Sequence, residues 1–139
     1  MGQFRDVAEQ YFKAVDASDL EAVRTVLHPD VDFAAPGPVV GNADVQVGWM
    51  QPFLAAFPDL QHRIVSAVEG DGMVAAEVAV TGTFTHPLSS PQGEIPPTNR
   101  RMELMAANVF GVRDGRITLH HIYFDQMAML GQLGLLPSP

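Results

Sequence analysis

The chain has 139 residues, of which 47% are apolar and 17% charged, the composition of one globular domain able to bury a core. A formal net charge of −8, with only 8 Lys and Arg and no run of them, excludes nucleic acid and anionic membrane as partners by bulk electrostatics. Without cysteine there is no disulfide, thiol nucleophile or cysteine-ligated zinc; with no signal-like or membrane-length apolar run either, a cytoplasmic location is expected.

Apolar residues at Phe4, Val7, Ala8, Tyr11, Ala14 and Val15 repeat at helical spacing and predict a first helix. Ser18 and Glu21 stand three apart, the spacing of a capping box, and open a second short helix that Pro29 stops. Residues 31–35 read as a short strand and the Pro/Gly-rich residues 36–41 as loop. A third helix follows over 42–57, with Val45, Trp49, Phe53 and Phe57 on one side and a kink or restart expected at Pro52. Beyond residue 60 the period changes to two. Residues 60–68, 73–85, 101–112 and 116–125 are four strands, and glycine-bearing turns join the first pair and the last pair. The proline-rich stretch 86–99 is a lid, a rim loop or a flexible edge, and a helical turn over 126–134 ends the chain.

Helices first and hairpin-linked strands afterwards predict a single α+β domain over residues 1–139. Three N-terminal helices would close the concave side of a curved antiparallel sheet into a cone, a natural small-molecule pocket.

Six motifs, met in order, carry a resemblance: "HPD" at 28–30, "FPDL" at 57–60, "GTFTHPL" at 82–88, "IPPTNRR" at 95–101, "VRDGRI" at 112–117, and "YFDQ" at 123–126 with "LGQLGLLP" at 130–137. Together they resemble the SnoaL-like polyketide cyclases, within the NTF2-like, ketosteroid-isomerase-like superfamily of cystatin-like α+β barrels. The resemblance implies an enzyme without cofactor that closes a ring by moving a proton to and from an enolate. It also implies a homodimer paired through the outer face of the sheet. The acid–base aspartate of those cyclases falls on Ile122, their histidine on Asn108, their glutamine on Ala106 and their asparagine on Phe33. Against ketosteroid isomerases, the oxyanion-binding tyrosine falls on Tyr11 in "YFKAVDASDL", the oxyanion-hole aspartate on Asn108 and the base on Ala35.

The stretch "HHIYFD" at 120–125 concentrates titratable side chains. Strand alternation puts His120, Ile122 and Phe124 on one face and His121, Tyr123 and Asp125 on the other, so the two histidines cannot chelate one metal and no metal site is expected. The resemblance turns the Ile122 face inward, which makes His120 the expected acid–base group; a buried histidine bonded to a backbone carbonyl is the bland alternative. Asn108, in an otherwise apolar strand, needs a partner, because an unsatisfied amide costs about 1–3 kcal/mol. That partner is a ligand or a neighbouring group. Tyr11 is on an apolar helix face and also needs a partner for its hydroxyl. Asp125 either reaches the pocket mouth or caps the last helix.

The expected activity is that of a cofactor-independent cyclase or isomerase acting on a small apolar, polycyclic, polyketide-like ketone. Tyr11 and Asn108 would bind its oxygen, and His120, aided by Asp125, would move the proton. Phe33, Trp49, Phe53, Ile122 and Phe124 are expected to line the substrate site with His86 at its rim, and Met50 and Met105 to pack in the core. His28 and His62 carry no assigned role. Two alternatives stand beside this reading: a non-catalytic small-molecule-binding or dimeric assembly module, and an epoxide-opening enzyme.

Overall fold

In the computed structural model, which describes residues 2–136, helix α1 (Gln3–Asp16) buries the expected face, including Val7, Tyr11, Phe12 and Val15. Its end differs in detail from the expectation. Ser18 takes a left-handed conformation (φ 54°), its N–H donates to Val15 O and the N–H of Asp19 donates to Ala14 O. This paired closure satisfies the last carbonyls of the helix. Ser18 is thus used in stopping α1 and is not free to start the next helix. Asp19 caps α2 (Leu20–Val26) instead, its carboxylate accepting from the N–H of Ala22 at 3.1 Å.

Strand β1 (Leu27–Ala35) follows at once, so Pro29 lies in a strand and does not stop a helix. The proline is tolerated because the pairing of β1 slips between Leu27 and Asp32, where no ladder donor is needed. Residues 36–41 are not all loop. After a turn through Gly37, β2 (Val39–Gly41) runs back along β1 as an edge strand. Helix α3 (Ala43–Ala56), capped by the Asn42 side chain, runs unbroken through Pro52, which neither stops nor restarts it.

The four long strands appear where the period-two pattern put them: β3 (Gln61–Gly70), β4 (Met73–Thr83), β7 (Arg101–Arg113) and β8 (Arg116–Tyr123). The hairpin turns at Asp71–Gly72 and Asp114–Gly115 place both residues at positive φ, which only such pairs adopt cheaply. Within the long connection, β5 (Leu88–Ser90) and β6 (Gly93–Ile95) form a small separate hairpin. Helix α4 (Gln126–Gln132) closes the described chain. Pro137, the last residue of the tail motif, and both ends of the 1–139 span lie outside the described residues.

The main sheet has the order β2-β1-β8-β7-β4-β3. It is mixed and not purely antiparallel, since β1 runs parallel to β8. These neighbours are far apart in sequence, and the long crossover between them permits either direction. The architecture is α+β as expected, except that the third helix follows the first two strands. Helices and sheet enclose the core: Val74, Ala76 and Val78 of β4 and Ala106, Asn108 and Phe110 of β7 point inward. Met105 has the opposite parity and is 55% exposed on the outer face, not in the core. No helix among the described residues is long and apolar enough to cross a membrane.

Candidate active site

Between the helices and the inner face of the sheet lies a hollow lined chiefly by apolar side chains, with Tyr11, Asn108 and His120 among its walls. Register explains their meeting. Phe110 pairs with His120 and Asn108 with Ile122, so Asn108 and His120 are diagonal neighbours on the inner face. His120 Nε2 lies 2.8 Å from Asn108 Oδ1. Across the cone, Gln46 on α3 brings its Nε2 to 2.9 Å from His120 Nδ1 and 2.9 Å from Tyr11 Oη. The ring of His120 stacks on Phe110 at 4.2 Å and meets Tyr11 edge-on at 5.0 Å.

These bonds determine where the proton sits. The Gln46 amide donates to Nδ1, so the imidazole carries its hydrogen on Nε2 and donates it to Asn108 Oδ1. With its oxygen so occupied, Asn108 keeps its Nδ2 hydrogens; among the described residues their only hydrogen-bond acceptor is Ala106 O at 3.5 Å, too long to hold them firmly. Complete burial pushes the His120 pKa down to about 3, and the nearby His62 and His121 reinforce the shift. Burial also pushes the phenol of Tyr11 well above the usual tyrosine range, so it remains a donor at neutral pH.

His120 is therefore in the site, but both its ring nitrogens are engaged and the buried ring is neutral, which leaves it no free lone pair for the acid–base role expected of it. Trp49, Phe53, Ile122 and Phe124 line the hollow. Phe33 does not; it is fully buried behind the wall, against Trp49 and His120. His86 is exposed, with its Nδ1 beside the hydroxyl of neighbouring Thr85, away from the hollow. Asp125 caps α4, accepting from the N–H of Ala128 at 3.0 Å, and is likewise outside the lining. His121 points to the outer face, 3.3 Å from Asp32, so the two adjacent histidines do diverge. Among the described residues, no group of three or more His, Asp or Glu could hold a metal ion.

Gln46 escaped the sequence reading. The buried stripe of α3 is Ala43, Gln46, Val47 and Met50, rotated from the Val45–Trp49–Phe53 line, and Gln46 is its one polar member. A polar side chain inside an apolar stripe was the available signal. Its Oε1 is buried without a partner among the described residues, a cost of about 1–3 kcal/mol that the site carries.

The sequence matches the SnoaL-like domain family over residues 8–120. No curated protein matches it. Among solved structures it is similar to IdmH of Streptomyces antibioticus, a proposed polyketide cyclase, with 30% identity and a TM-score of 0.81 over 96% of this chain and 99% of that one. It is also similar to AclR of Streptomyces galilaeus, a proposed hydroxylase, at 24% identity and TM-score 0.80 over 97% and 87% of the two chains. A proposed SnoaL-like polyketide cyclase from Jannaschia sp. CCS1 gives 16% identity and TM-score 0.80 over 97% and 94%. At those identities the latter two speak for the fold alone.

Proposed function

Because this chain belongs to the SnoaL-like domain family, we propose that it is a cyclase- or isomerase-type enzyme that needs no cofactor and stabilises the enolate of an apolar ketone in the cone. The observation that carries this reading is the buried chain Tyr11–Gln46–His120–Asn108, which ends on an amide donor at the wall of an otherwise apolar hollow. A ketone oxygen placed against Asn108 Nδ2 accepts one hydrogen bond there. The Tyr11 hydroxyl, whose oxygen already accepts from Gln46, supplies its own hydrogen as a second donor. As the oxygen gains negative charge, two donors in a water-poor cavity gain strength, and each is worth about 10²–10³ in rate in comparable sites. Such an oxyanion site serves ring closure and double-bond migration alike. The likeness to IdmH favours ring closure.

The hollow itself measures about 90 Å³. Sites that swallow a drug-sized ligand hold roughly 300–1,000 Å³, so a polycyclic substrate enters end-on, oxygen first, with its remaining rings at the mouth. A second copy of this chain is the proposed partner. Met105 and Tyr123, exposed on the outer sheet face, offer the apolar surface for it.

A second reading, a binding module without catalysis, draws on the apolar residues Ile122, Ala106, Ala35 and Phe33 at the positions where relatives carry proton-handling groups. The test uses 2-naphthol, whose naphtholate mimics the enolate of 2-tetralone. The protein should bind it with a raised ionised fraction, read by fluorescence, and Asn108→Leu should weaken binding at least tenfold, about 1.4 kcal/mol. Equal affinity in a variant that melts as a folded protein sinks the oxyanion reading.

A further inference from the structure

An oxyanion site needs a proton carrier, and His120 is not one. Three titratable side chains line the hollow: Tyr11, His62 and His120. Tyr11 holds its proton too tightly and His120 has both nitrogens engaged, which leaves His62. Resting on the reading above, we propose that His62 is the acid–base residue of this site, that Asp16 positions it, and that its proton equilibrates with solvent through a separate polar cleft.

The geometry is that of an oriented base. Asp16, the last residue of α1, accepts through Oδ2 from the backbone N–H of His62 at 2.9 Å, while its Oδ1 lies 2.6 Å from His62 Nδ1. The carboxylate is thus fixed at two points and holds the ring proton on Nδ1. The lone pair is left on Nε2, which has no hydrogen-bond partner among the described residues. Phe12 stacks on the imidazole at 4.8 Å with planes 17° apart, so the ring cannot turn freely. The side chains of His62 and Asp16 are 15% and 23% exposed, neither sealed nor free.

Position supports the role. His62 and Leu60 line the apolar hollow on one side and a polar outer cleft on the other, where Asp16, Asp59, Arg63 and Thr81 also stand. A side chain shared by both spaces can meet substrate in one and water in the other.

The reaction balances without any further reagent. His62 Nε2 takes a proton from the carbon beside the ketone. That C–H pair becomes a C=C bond as the carbonyl oxygen gains the charge that Asn108 and Tyr11 bind. Asp16 stabilises the imidazolium without taking its proton. In isomerisation Nε2 returns the proton to another carbon. In ring closure the enolate carbon attacks a second carbonyl, and the new alkoxide receives the proton from Nε2.

The test follows deuteration of 2-tetralone at its acidic carbon in D₂O by NMR, with 2-naphthol binding as the second readout. His62→Gln should slow exchange about 10²-fold while naphthol affinity holds, since general acid–base transfer is typically worth 10²–10⁴. Asp16→Asn is the positioning test. Its amide can offer an oxygen to the backbone N–H only by turning its NH₂ towards Nδ1, which moves the ring proton to Nε2 and removes the base. Exchange should fall at least tenfold in kcat with KM little changed, and Asp16→Glu should restore part of it. If His62→Gln exchanges like the parent while Asn108→Leu still loses naphthol, the dyad is overturned and the oxyanion site stands. If the parent protein neither binds naphthol nor exchanges tetralone, both fall together.

Discussion

The two imidazoles on the wall of this hollow live under opposite conditions. His120 is wholly enclosed, stacked on Phe110 and tied at both nitrogens to amides. His62 is partly wet, stacked on Phe12 and tied at one nitrogen to a carboxylate. An amide partner stabilises a neutral ring and a carboxylate stabilises a charged one, so the first setting suits a strut and the second suits the proton carrier proposed above. The comparison teaches that a histidine at a family's pocket position is not thereby the base. What faces its two nitrogens decides that.

The sharpest way to break the contrast is stability. His120→Ala removes a stacked ring, orphans Asn108 Oδ1 and leaves one of the two Gln46 Nε2 hydrogens without an acceptor, and should cost about 4 kcal/mol in urea unfolding. His62→Ala should cost about 1 kcal/mol, because its partly exposed partner Asp16 can rehydrate. Equal losses would erase the distinction. Acid should expose it next. His120 has a folded pKa of about 3 against 6.5 in the unfolded chain, so between those values the unfolded state binds the extra proton. Its contribution is complete above pH 6.5 and is lost progressively as pH falls towards 3. Between pH 7 and 4 the loss is on the order of 3 kcal/mol, and His120→Phe should flatten that part of the profile. Nitrogen-15 shifts of the His120 ring at neutral pH should report the neutral tautomer with hydrogen on Nε2.

A smaller effect sharpens the role of the link between helix and strand. Gln46→Leu removes the donor shared by Tyr11 and His120 but also the orphaned Oε1, so the net loss should be only about 1–2 kcal/mol by thermal melting. Naphthol affinity should fall with it, because His120 is then free to turn away from Asn108. The smallest effect marks the site's edge. Asp125→Ala removes a helix cap, should cost about 1 kcal/mol, and should leave 2-tetralone exchange intact.

What was legible in the sequence was whatever local chemistry decides. The Asp-Gly turns need two residues at positive φ and so announce both long hairpins, and strict alternation then puts Asn108, His120 and Ile122 on one face. The family resemblance supplied the fold and the inward sense of that face. Partnerships across the cone were not legible, because nothing near Asp16 hints at His62 and nothing near Gln46 hints at Tyr11 or His120. The stripe of α3 was misread because Trp49 and Phe53, only partly buried, line the hollow as well as packing on the core, which rotated the apparent buried face. At Ser18 the spacing of a cap was present, but closing α1 claimed the residue first. The edge strand β2 was hidden by the prolines of its own turn.

The partition formed by Leu60 and His62 has a consequence for how such a protein can change over time. Cargo and protons would use different doors: greasy rings through the aromatic end, hydrogen ions through the charged side. Remodelling Trp49, Phe53 or Met129 to admit a bulkier guest would then leave the ionic doorway untouched. One chassis could serve many guests while keeping a single way of handling hydrogen.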